Sequence, residues 1–105
     1  MSELKDFCAA VKAPTVGLMA SLFDLQRDPT KAADVVAQVD AILDAQRLWP
    51  SGLVGHVWAT QGSETLRGIK AAANAGDGAR AWELFASQES GLHLLGELCR
   101  GQEGW

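Results

Sequence analysis

The stretch Asp28-Pro29-Thr30-Lys31-Ala32-Ala33-Asp34-Val35-Val36-Ala37-Gln38-Val39-Asp40-Ala41-Ile42-Leu43-Asp44-Ala45-Gln46-Arg47-Leu48-Trp49-Pro50 carries a start, a period and a stop for one helix. Asp28 is of the N-capping type, and Pro29 behind it takes the first helical position, where a missing N–H costs nothing. Ala32, Val35, Val39, Ile42 and Trp49 follow in helical phase, with Val36 and Leu43 widening the apolar stripe. Asp34, Asp40 and Asp44 fall on the other side, so this helix forms an acidic face. Pro50 pushes Trp49 out of the α region and ends the run.

The same period extends in both directions. Upstream, Leu4, Cys8, Val11, Leu18, Leu22 and Leu25 alternate steps of four and three if Thr15 is counted in the seam, and Ser2 supplies an N-cap. Pro14 removes one ladder hydrogen bond, so this helix is expected to be kinked or broken there. Downstream, Gly52, Gly55, Ala59, Gly62, Leu66, Ile69 and Ala73 form an inward stripe of small, then larger residues. His56, Thr60, Ser63, Arg67, Lys70 and Asn74 form a polar one opposite. Gly76 stops that helix and Asp77 caps the next. The last segment buries Ala81, Phe85, Leu92, Leu95 and Cys99, with Gln88 inside the seam and Ser90-Gly91 as a candidate break. The tail, Gly101-Gln102-Glu103-Gly104-Trp105, is expected to fray.

No sustained period-two alternation competes with this reading. The expectation is an all-α, antiparallel four-helix up-down-up-down bundle in a single domain, 1–105, with helices near 3–26, 29–49, 51–75 and 78–100. The 105 residues, 48% of them hydrophobic, supply one core and not two. Thirteen acidic against nine basic residues give a net charge of −4, without the basic face that nucleic acid requires. The uncharged run 48–63 is too short and too polar for a bilayer span, so no membrane partner is expected. Met1-Ser2-Glu3-Leu4-Lys5-Asp6 lacks the basic-then-apolar order of a signal peptide, which makes the cytoplasm the expected compartment.

Cys8 and Cys99 occupy seam positions near the start of the first helix and the end of the last. In an up-down bundle those positions share a level. Two readings follow: a redox pair able to bond under oxidation, or two buried thiols acting as small apolar side chains. His93 lies four residues from both Glu89 and Glu97, a weak metal constellation that ordinary surface charge pairing explains as well. His56 reads as an exposed histidine. No nucleophile motif or phosphate loop occurs, and no catalytic residue is assigned. The small residues Gly52, Gly55 and Ala59 admit a close helix neighbour or a flat ligand walled by Trp49 and Trp58. Trp49 and Trp105 are expected to be the least buried of the four tryptophans.

The short four-helix outline, the Leu48-Trp49-Pro50-Ser51-Gly52 joint and a cysteine near the end of the last helix resemble the cytochrome c′ group. That group carries C-x-x-C-H, whereas Leu95-Gly96-Glu97-Leu98-Cys99-Arg100-Gly101 has one cysteine and no following histidine. Covalent haem is excluded by that departure, and no cofactor is expected. The functional expectation is a non-catalytic binding or assembly module acting through protein–protein contacts, as a homodimer. Trp49, Gly52, Gly55, Trp58, Ala59 and Gln88 are its candidate contact residues. The alternative is a small-molecule or redox-sensing bundle using an inter-helix pocket or the Cys8/Cys99 pair.

Overall fold

The computed structural model describes residues 3–105, and every regular element among them is helical. Five α-helices occur there: α1 (Glu3–Leu25), α2 (Ala32–Ala45), α3 (Val57–Asn74), α4 (Gly78–Phe85) and α5 (His93–Leu98). Ser2, expected as the first N-cap, lies outside the described residues.

α1 runs without a break through Pro14. A proline withholds one N–H, which leaves a single upstream carbonyl without its ladder bond. The buried seam of Phe7, Cys8, Val11, Leu18, Leu22 and Leu25 keeps phase on both sides and packs on α2, so tertiary contacts hold the helix together where its ladder is interrupted. Thr15 sits in that seam half-buried, and its hydroxyl is enclosed without a hydrogen-bond partner.

α2 begins and ends as the sequence indicates, with both end turns tightened. The Asp28 carboxylate accepts from the Thr30 N–H at 3.0 Å and from the Thr30 hydroxyl at 2.6 Å. It thereby caps a 3₁₀ turn, Pro29–Lys31, that leads into the α-helix. Val35, Val39, Ile42 and Ala45 are buried, a second 3₁₀ turn covers Gln46–Leu48, and Trp49 turns to ψ 130° before Pro50. Lys70 on α3 reaches the Asp40 carboxylate at 2.9 Å on the outer surface.

α3 starts at Val57, six residues later than expected. The residues before it form a 3₁₀ turn, Ser51–Leu53, and a bend. His56 is the N-cap, its Nδ1 accepting from the Trp58 N–H at 3.0 Å. The delayed start changes which side chains face inward. Trp58, Gly62, Thr65, Leu66, Ile69, Ala72 and Ala73 are buried, whereas Gly52, Gly55 and Ala59 are exposed. At the far end Gly76, at φ 75°, donates to Ala73 O (3.0 Å) and Asp77 N–H donates to Ala72 O (2.9 Å). This paired closure needs the left-handed conformation that glycine adopts freely. Asp77 then caps α4 by accepting from the Arg80 N–H at 2.9 Å.

The fourth expected helix is two. α4 ends at Phe85, a compact connection follows, and α5 contributes six residues. Gly91 N–H donates to Ser87 O (2.8 Å), and Leu92 N–H donates to Phe85 O (3.0 Å). A Cβ at Gly91 would lie only 2.8 Å from Ser87 N and closer still to two backbone carbonyls, so only glycine fits the turn. α1 packs on α2, α2 on α3, α3 on α4 and α4 back on α1, a closed ring around one core. Eight residues give α4 about 12 Å of length against roughly 35 Å for α1. The segment 86–105 returns to the N-terminal part of α1, where Cys99 and Trp105 meet Cys8.

Candidate functional site

Cys8 and Cys99 are joined in a disulfide, with Cα atoms 5.8 Å apart and both residues fully buried. The reading of two unbonded apolar thiols is not the state found: no free cysteine occurs among the described residues. Trp105 reinforces the junction, its indole N–H donating to the Cys8 carbonyl at 2.9 Å. The tail expected to fray is thus folded back on α1, and Trp105 is half-buried. The last five residues contain nothing apolar except that tryptophan, so a docked tail was not legible from them.

The other expected sites come apart for local reasons. Glu89 lies in the connection before α5, which starts at His93, so Glu89, His93 and Glu97 do not share one helical face. No group of three His, Cys, Asp or Glu side chains placed to hold a metal occurs among the described residues. Trp49 and Trp58 each pack on protein groups of their own. A Cβ on Gly62 would meet the Trp58 indole at 2.5 Å, so Gly62 is small in order to seat that ring. Trp58 is fully buried, and its N–H donates to Gln46 Oε1 at 3.0 Å. Trp49 is half-buried, set edge-on to Phe7 with ring centres 5.0 Å apart, its N–H donating to Leu53 O. Gln88, expected inside the seam, is exposed.

What the fold leaves at the surface is an apolar tract. Val16, Met19 and Phe23 on α1 are 56%, 42% and 53% exposed. The Phe23 ring lies 4.8 Å from that of Trp82 on α4, and Trp82 stacks on Phe85 at 5.4 Å. Beside them a groove of about 800 Å³ is lined by the apolar Met19, Phe85 and Leu94 and by the polar Gln88, His93 and Glu97. It lies where α4 stops short of α5. A smaller exposed group, Val54 and Val57, adjoins Gly52, Gly55 and Ala59 before and at the start of α3. The α1 tract lies off the core seam, on the opposite side of the helix from Leu18 and Leu22. Its signal is present: no charged residue occurs in 13–23, and Val16, Met19 and Phe23 recur at helical spacing away from Leu18 and Leu22.

That tract also explains why α1 is long and apolar enough, by length and composition, to cross a membrane. One side of the helix is core and the other is this uncovered surface. Away from the tract, at the entry to α2, the Asp28 carboxyl is held below the ordinary aspartate range by the Thr30 hydroxyl, then by the Thr30 N–H.

No family model matches the chain, and no curated protein or solved structure is significantly similar to it.

Proposed function

We propose that the protein is a non-catalytic helical binding module whose partner is a second copy of itself, with its first four helices running up-down-up-down and the cytoplasm as its compartment. The observation that carries this reading is the exposed tract of Val16, Met19 and Phe23 continuing into the Trp82 and Phe85 rings. Large apolar side chains grouped on one surface lose unfavourable hydration when another protein covers them. Aromatic residues and methionine are the types that concentrate in interface centres. Trp49, Gly52, Gly55 and Ala59 lie on a second surface with less apolar bulk and are the secondary candidates. Buried Trp58 is withdrawn from the contact set.

The histidines stand apart, His56 committed to capping α3 and His93 lining the groove. Among the described residues, no convergent acid, base and nucleophile face a common space. Sedimentation across a concentration range tests the proposal. The wild-type chain is expected to pass from monomer to dimer, and Phe23→Ser to shift the transition about tenfold or more upward in concentration, as loss of a buried aromatic anchor does. A chain that stays monomeric at high micromolar concentration contradicts the proposal, and so does a dimer indifferent to Phe23.

A further inference from the structure

We propose that 86–105 is a redox-released arm: the Cys8–Cys99 bond holds it across the N-terminal half of α1, and reduction frees it while α1–α4 stay packed. α1 to α4 close their ring of contacts without α5. The arm is slight beside them. α5 has six residues, Leu92 at its start offers no side-chain cap, and the arm fully buries the side chains of Leu92, Leu95 and Cys99, with Leu94, Leu98 and Trp105 partly buried against the same core. Its side-chain hydrogen bond to α1, from the Trp105 N–H, goes to the carbonyl of Cys8 itself, so that bond and the disulfide converge on one residue of α1. Reduction removes the one covalent tie between this segment and α1 and leaves it held by a few apolar side chains and that hydrogen bond.

The reaction needs a dithiol reductant. One of its thiolates attacks Sγ of Cys8 or Cys99, the S–S bond breaks, and the departing sulfur takes a proton. The reductant's second thiol then resolves the mixed disulfide and leaves as a cyclic disulfide. Two electrons and two protons end on Cys8 and Cys99. Because both cysteines are fully buried, attack follows a local lifting of the arm, and the rate saturates as reductant increases. A bond of this kind is permanent in an oxidising compartment, whereas cytosolic disulfides are mostly transient and redox-sensing. The proposal stands on the bond and the ring, not on self-association, so the two fail separately.

Hydrogen exchange on the full chain, oxidised and dithiol-reduced, tests it, with Cys8→Ala/Cys99→Ala as a reagent-free counterpart. Amides of 92–105 are expected to exchange about a hundredfold faster after reduction, with those of α2 and α3 within about threefold of their oxidised rates. Undiminished protection of the arm would show the bond to be redundant. Loss of protection in α2 and α3 as well would show that it holds the whole fold. Either result overturns the proposal.

Discussion

Asp28 shows how one side chain can set the start of an element and tie it to pH. Its carboxylate accepts two hydrogen bonds from Thr30, and with Lys31 nearby these favour the charged form. A carboxyl whose folded pKa is depressed adds stability above its unfolded value and loses it as pH falls through the folded value. The contribution is therefore complete above about pH 5 and fades from about pH 4 downward. Asp28→Asn keeps an oxygen for the Thr30 N–H but does not titrate. Urea midpoints at pH 6 and pH 2.5 are expected to show wild type ahead at the higher pH and the gap closing at the lower. A constant gap would mean that the cap acts without its charge. This cap was readable in advance, as was the Gly76–Asp77 stop and start, because each depends on two neighbouring residues. His56 was not: imidazole is an uncommon N-cap, and nothing in its neighbours sets it apart from a surface histidine.

At the scale of elements, periodicity placed the helices and local chemistry trimmed them. α2 was legible because cap, period and stop agree within one stretch. α3 was displaced because Gly52 and Gly55 match a helical stripe on paper, yet glycines weaken a helix and add no apolar side chain that would reward its formation there. The large ring of Trp58 then sets the inward face, with Gly62 making room for it. The split of the last segment has the same logic. Gln88 in the expected seam is exposed because the chain leaves the helix at Phe85 rather than bury an amide. Gly91 makes that exit possible. Gly91→Ala is expected to cost about 1–3 kcal/mol in denaturant unfolding, the range for overpacking against atoms that cannot yield. The neighbours here are backbone, not flexible side-chain ends. A variant as stable as its parent would mean that the connection between α4 and α5 rearranges freely.

For the whole molecule, the all-helical class and the nearness of Cys8 to Cys99 were legible, because each follows from phase along one helix and from short connections. The exposed tract was not, since a single chain's pattern says which face is apolar but not which of two apolar faces the fold will cover. Val16, Met19 and Phe23 carry no charge, while each copy of the chain carries −4. The sign of the salt effect on association follows from these two facts. The contact itself gives salt nothing to weaken, and the like net charges of two approaching copies repel across a Debye length that is ~10 Å at 0.1 M and shorter above it. Raising sodium chloride from 20 mM to 500 mM is therefore expected to leave the dimer dissociation constant unchanged or lower it. Ion pairs across the interface would do the reverse, because screening removes their attraction. A dissociation constant that rises severalfold with salt would move the interface away from α1 and toward the charged surface formed by Asp34, Asp40 and Asp44 on α2.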